Sequence, residues 1–433
     1  MNIYDYQQAF GTADKTGSAM RKALQGWFAA YYEAAATKES DPCQRIAYTV
    51  VSKIVKAVFS EYKASAADKA AAQAVSRLEG KKKEALQLAL VGGECYIKPW
   101  VCNDGFQFTL IPRDRALIFA RDDRGEPTDM GTVQQLTQGN EYFTLLERRR
   151  LDSQGYLVLE NRLFSSKNPE NLGNQVPLSA VKEFALLPES CRFPVPLGGL
   201  GIVRMKTPIL NCVDGSREGV AVFAPAMGLI RRIDENEAQL CGEFSRGESR
   251  IIASADLLQK DTGLADHLFV GLDDDPEQVG ITVFSPQLRQ ASYLERKQEY
   301  LRNIESIVGL RRGMLSDANV EERTATEIAS TAGDFNLTVM EFQSMWEQTL
   351  GSTLVLCKAL AALYAMTPIR DASVTVDWGN STLYDEDKLW QDYRQMVMDG
   401  LLAPEVALGW RFGLPSETEE ERKAIRQKYM PNG

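Results

Sequence analysis

Apolar residues recur at helical spacing through the first part of the chain. Met20, Leu24, Trp27, Phe28 and Tyr31 form one stripe. Ile46, Val50, Ile54 and Val58 form a second, opened by the helix-starting pair Asp41-Pro42. A third helix is predicted over residues 78–90. From Glu94 the period falls to two. The runs CYIKPWV and FQFTLI flank Asn103-Asp104-Gly105, a hairpin signal, and ALIFA, EYFTLLE and YLVLENRLF follow with turn residues at 123–125 and 152–155 between them. This pattern predicts an antiparallel meander. Residues 165–200, rich in Asn, Pro, Gly and Ser, predict an irregular surface excursion.

Helical spacing returns after Pro225, where Met227, Ile230, Ile233, Leu240 and Phe244 share one side until Gly247. Short β-like runs, RIIA, HLFVG and ITVF, then surround the turn Asp273-Asp274-Asp275-Pro276. Ser285-Pro286 predicts a new helix start, with Leu294, Leu301, Ile304 and Val308 on one face and Gly309 at its end. A polar loop follows, LRRGMLSDANVEE, and then an unusually long helix over 323–366, roughly 65 Å at about 1.5 Å per residue. Gly333 or Gly351 is the place to expect a kink. The tail reads as one strand, SVTVDWG, and three short helices starting near Tyr384, at Pro404, and at Ser416, which forms a capping-box pattern with Glu419.

The fold class expected from this order is α+β. A length of 433 residues and 44% apolar content allow two or three domains with real cores. The net charge of −10 argues against broad phosphate neutralisation, though not against a protein that DNA only passes through, since an acidic wall repels phosphate and eases sliding. Seven cysteines without a C-x-x-C pair predict reduced thiols made in a cytoplasm, and the amino-terminal residues carry no secretion-signal pattern. The most apolar window, 350–366, has Lys358 in its middle and reads as a packed helix, so no membrane partner is expected.

Candidate chemistry is sparse. A single histidine, His267, excludes two-histidine zinc sites, and its place before the β-like LFVG reads as a loop or core residue and not as the base of a Ser-His-Asp triad. There is no P-loop, so no nucleotide motor is expected. Asp317, Asn319 and Glu321 have the opening spacing of a calcium loop, but Glu322 and Ile328 occupy its glycine and glutamate positions. Glu94, Lys98, Asp104 and Asp114 offer one enzyme reading, a metal-dependent nuclease. A tail or baseplate subunit is another alternative. Arg148-Arg149-Arg150, beside Glu147 and Asp152, reads as a solvated strand edge. No cofactor, no metal and no catalytic residue is expected.

The stretch IESIVGLRRGMLSDANVEERTATEIASTAGDFNLTVMEFQSMW at 304–346 resembles the portal proteins of long-tailed phages, in the branch found in many siphophages of Gram-positive bacteria. Collinear support comes from RIAYTVVSKIVKAVF, GGECYIKPW, GVAVFAPAMGLIRRIDENEAQLCGEFSRG and VDWGNSTLYDED. The resemblance implies a ring, usually of twelve subunits, at one capsid vertex. It implies a wing over 1–216 with a long helix returning to it over 323–384, stem helices over 217–247 and 286–310, a clip over 248–285, a tunnel loop over 311–322 and a crown over 385–433. The partners implied are copies of the chain, the terminase large subunit, a head-tail adaptor, the major capsid and scaffolding proteins, and duplex DNA passing through the bore.

Carried onto this chain, the tunnel loop is expected to present Arg311, Arg312, Ser316, Asp317, Asn319, Glu321 and Glu322 to DNA, with the two arginines pairing to a neighbour's acids as the alternative. Asp273, Asp274 and Asp275 are expected to meet partner proteins. The charged residues Arg296, Lys297, Arg302 and Glu305 are expected at subunit contacts or the channel wall.

Overall fold

The computed structural model describes residues 3–32, 42–102, 104–247, 250–254, 269–272, 282–284, 288–317, 325–379 and 386–430. Five helices come first: α1 (Ile3–Phe10), α2 (Ser18–Tyr32), α3 (Ile46–Val58), α4 (Lys69–Glu79) and α5 (Lys82–Gly92). A short strand β1 (Lys63–Ser65) sits between α3 and α4. The single helix expected over 78–90 is therefore two. Gly80 and Lys81 break it, and Asp68 caps α4 by accepting from the backbone amides of Ala70 and Ala71.

The meander follows as β2 (Glu94–Cys102), β3 (Gly105–Pro112), β4 (Ala116–Arg121), β5 (Pro127–Gln138), β6 (Glu141–Leu151) and β7 (Leu157–Ser166). It splits into two sheets. Strand β2 lies between β3 and β10 (Val203–Lys206), all antiparallel, whereas β4 to β7 pair in sequence order. The excursion adds β8 (Asn174–Val176) and β9 (Ser190–Arg192) to the edge strand β7 and tucks Leu178, Val181 and Phe184 under it.

The second half holds α6 (Met227–Arg246), β11 (Arg250–Ser254), β12 (Phe269–Leu272), β13 (Thr282–Phe284) and α7 (Gln290–Val308). Helix α8 (Ala325–Leu363), β14 (Thr375–Asp377), α9 (Glu386–Met398), α10 (Pro404–Phe412) and α11 (Glu419–Tyr429) complete it. Helix α8 is continuous through Gly333 and Gly351, so 39 residues give a rod of about 58 Å. Strand β14 returns to pair antiparallel with β1.

One apolar core joins α2 to α5, one face of the β2–β3 sheet, the chain at 220–233, α7 and α8. Trp346 at its centre is fully buried and donates its indole N–H to the Tyr62 hydroxyl at 3.1 Å. Residues of the apolar 350–366 window pack here, Leu350, Leu354, Cys357 and Ala361 all being buried. Among the described residues no helix is long and apolar enough to cross a membrane. Smaller clusters line both faces of the larger sheet, one of them sealed by Tyr6 and Phe10 of α1. Helices packed against antiparallel sheets make this an α+β fold.

Two local expectations change. Arg148, Arg149 and Arg150 do not form a solvated edge, because β6 is an interior strand. Arg149 is buried and bonds Glu147 at 2.7 Å and the Leu200 carbonyl at 2.8 Å, Arg148 pairs with Asp129 at 2.7 Å, and Arg150 with Glu160 at 3.1 Å. The last capping box is Thr418 with Glu421, two residues beyond Ser416 and Glu419. Ser416 instead packs against Gly409, and its carbonyl accepts from Arg422 at 2.8 Å.

Candidate functional site

Helices α6 and α7 run from the core and are joined at their far ends by a three-stranded sheet. In that sheet β11 pairs parallel with β12 and antiparallel with β13. At the core end Ile230, Ile233, Leu301, Ile304 and Val308 bury the shared apolar face. Beyond them the seam becomes polar.

Asn236, almost fully buried, donates to the Tyr293 carbonyl at 3.1 Å and accepts from Arg296 at 2.8 Å, while Arg296 also reaches Gln239 at 2.8 Å. Lys297 bridges Glu237 at 3.0 Å and Gln44 at 2.7 Å, which ties α7 to the residues before α3. At the sheet end, Glu243 of α6 accepts from the backbone amide and guanidinium of Arg289 at 2.8 to 3.2 Å. Those bonds hold its carboxyl down to about 2.

Helix α7 ends at Gly309, whose φ of 74° turns the chain left-handed, and a side chain there would collide with Thr338 of α8. The reversal brings residues 310–317 back over the last turn. Glu305, buried to 1% exposure, receives them. One carboxylate oxygen accepts from the amides of Gly313 at 3.1 Å, Leu315 at 2.5 Å and Ser316 at 2.8 Å, and the other from the Ser316 hydroxyl at 2.9 Å. Gln298 takes the Asp317 amide at 2.8 Å. Leu310 is buried, Met314 and Leu315 pack partly against the main core, and Arg311, Arg312 and Asp317 are exposed.

Arg296, Lys297 and Glu305 all bond within their own chain, the last as a buried anchor for the turn. Arg302 lies 4.0 Å from Glu299 on the outer face. Asn319, Glu321 and Glu322, and Asp273, Asp274 and Asp275, lie outside the described residues.

The root of α6 holds a buried ionic cluster that the sequence did not signal. Glu94, at 0% exposure, contacts Arg204, lies 3.5 Å from Arg113, and accepts from Tyr96 at 2.5 Å and the Gly219 amide at 2.9 Å. Glu218 takes Arg113 at 3.2 Å and Arg121 at 3.1 Å. Burial alone would raise the Glu94 pKa, but the fields of Arg204 and Arg113 reverse this and hold it down to about 2. Lys98 sits apart, 3.2 Å from Glu147, and Asp114 faces Arg115 at 4.0 Å. The four residues of the nuclease reading therefore do not converge. No group of three or more metal-ligating side chains occurs among the described residues.

Beside the cluster, Gly93 and Gly219 cross with their backbones in contact, so that a Cβ on either would overlap the other's carbonyl group. The Thr207 amide and hydroxyl bind the carbonyls of Gly93 at 2.9 Å and Val220 at 2.8 Å, closing the crossing.

With this architecture in place, the comparison with protein families is decisive: residues 62–428 match the family described as phage portal protein, SPP1 Gp6-like. The chain belongs to the phage portal protein family. The match takes in both sheets, the α6–α7 pair, the anchored turn and α8. Portal-family membership makes it a structural protein of the phage capsid, with nothing pointing to a nuclease. A search among curated proteins gave no match to this portal-family chain.

Proposed function

We propose that copies of this chain close into a ring, twelve in number, that forms the DNA channel at one capsid vertex. The stem is 217–247 and 286–310, which contain α6 and α7, the clip is 248–285, the tunnel loop 311–322, the crown 385–433, and the wing 1–216 with 323–384. The clip, with Asp273, Asp274 and Asp275 on its turn, docks the terminase large subunit during packaging and a head-tail adaptor afterwards. The wing meets the major capsid and scaffolding proteins.

One observation carries the reading. The chain leaves a large core along one helix, builds a small separate sheet, returns along a second helix, and enters a 39-residue helix through a tethered turn. A compact enzyme has no use for two helices holding a sheet away from its core, whereas a conduit needs a projecting tube. Heterologous contacts, one side of each subunit against the opposite side of the next, close such tubes into rings. The net charge of −10 suits a bore through which polyanionic DNA slides without being gripped.

Electron microscopy of the purified chain tests this directly. Closed rings with a central hole wide enough for a duplex are expected, and a monomer at every concentration, with no ring inside capsids, overturns the proposal. Deleting residues 318–320 leaves the Glu305 tether intact, so rings should still form while DNA-filled heads fall sharply. Packaging at the parental level would remove the loop from the channel.

A further inference from the structure

We propose that Arg311 and Arg312 are a fixed phosphate-contact pair for the DNA backbone, held in place by Glu305 as their positioning residue. This rests on the channel reading of the loop and assigns it a contact. The observation behind it is a contrast between one helix and the turn that follows it. Each cation of α7 is engaged: Arg296 with Asn236 and Gln239, Lys297 with Glu237 and Gln44, and Arg302 beside Glu299, while Arg289 at the cap holds Glu243. Arg311 and Arg312, only a few residues further on, are exposed and make no ion pair among the described residues.

Their backbone is nevertheless tightly held. Leu310 enters the core on one side, the Met314 amide bonds the Arg311 carbonyl at 3.1 Å, and three amides and a hydroxyl converge on Glu305 on the other side. A charged side chain on a fixed turn loses less entropy on meeting a partner than one on a free loop. Two guanidiniums per subunit, each able to fork onto phosphate oxygens, would repeat around a ring. The pair is too small to retain a duplex against the acidic remainder of the chain, so the contact centres the DNA rather than gripping it.

The test compares binding of a fluorescent 30-base-pair duplex to purified rings across a salt series. Replacing both arginines (R311A/R312A) should weaken binding about tenfold at low salt and lower the log–log salt slope by about 1 or more. The decisive variant is Glu305→Ala. It removes a negative charge from every subunit, so a purely electrostatic account requires tighter binding. The positioning account requires weaker binding, although both arginines remain. Glu305→Gln makes the same charge change but keeps an acceptor for the three amides, and should recover most of the parental affinity.

If Glu305→Ala binds as tightly as Glu305→Gln, or tighter, the positioning role is wrong even where the arginine variant weakens binding. If the arginine variant leaves DNA binding unchanged and instead opens the rings, the pair is a subunit contact and the proposal falls. Should Glu305→Ala fail to form rings, Ser316→Ala, which deletes only the hydroxyl bond, carries the same comparison at smaller amplitude. Hydrogen exchange at Gly313, Leu315 and Ser316 should then rise several-fold, and an unchanged rate counts against the tether. None of these outcomes depends on packaging, so failure of the channel reading itself would show separately, as loop-shortened rings that package normally.

Discussion

The ionic cluster at the root of α6 and the polar seam between α6 and α7 both pair glutamates with cations and behave as opposites. At the root, Glu94 and Arg113 are at most 1% exposed, and each charge has two or more partners from distant parts of the chain. Along the seam the partners, Gln44 apart, come from α6, α7 and the cap of α7, and one end is open to water, the Arg289 side chain being 74% exposed. Desolvation makes the first arrangement all-or-none, because removing one member strands the others in a medium that cannot solvate them. In the second, water replaces what is lost. The root is therefore expected to fix the frame, and the seam to set only how closely two helices stay together.

The largest effect that distinguishes them is expected from Glu94→Ala. It leaves Arg113 and Arg204 buried beside each other with one carboxylate fewer, which should cost about 3–5 kcal/mol in chemical denaturation. A loss under about 1 kcal/mol would mean the cluster is not the frame. Next comes acid sensitivity. Glu94 and Glu147 both titrate at about 2 in the folded chain, below an ordinary glutamate at 4.5. Their contribution is complete above the ordinary value and drains away as pH falls from about 4.5 towards 2. Unfolding midpoints should drop steeply through that window, and a flat profile there would separate the carboxylates from stability.

A smaller effect is expected at the seam. Asn236→Ala strips a partner from the Tyr293 carbonyl and from Arg296, for about 1–2 kcal/mol, read as faster hydrogen exchange in the first turns of α7. The smallest belongs to Glu243→Ala. The global midpoint should stay where it is while the Arg289 amide exchanges faster, and a large drop in the midpoint would erase the distinction between the two regions.

The helix pair that carries the seam was legible in the sequence, whereas its polar pairs and the root were not, for a physical reason. Amphipathic spacing at Ile230, Ile233, Leu301, Ile304 and Val308, with Gly247 and Gly309 at the ends, declares two helices within a short window. The alternation from Glu94 onward declares strands in the same way, though it does not reveal that they divide into two sheets. Glu94, Arg113, Arg204 and Glu218 come together only through tertiary closure, and no local period links positions so far apart. Arg148 to Arg150 misled because a run of cations looks solvated until its partners are known: Asp129 and Glu160 on the flanking strands, and for Arg149 the adjacent Glu147 and the Leu200 carbonyl.

The anchoring role of Glu305 was hidden similarly, since the amides it holds arrive only after Gly309 has reversed the chain. A glutamate one turn before two glycines, 309 and 313, was the available signal. The break between α4 and α5 was hidden by Ala-, Lys- and Leu-rich residues that favour helix on both sides of Gly80.

The Gly93–Gly219 crossing has a mechanical reading. Two backbones in contact, without side chains between them and clasped by Thr207, leave nothing compressible where the chain crosses the sheet eight residues before α6. A load applied along α6 would pass into β2 and β10 with little give at the joint. Any bending would have to occur further out, where the pair is held by exchangeable polar contacts. On that reading the joint would be stiff and any give would belong to the helix pair.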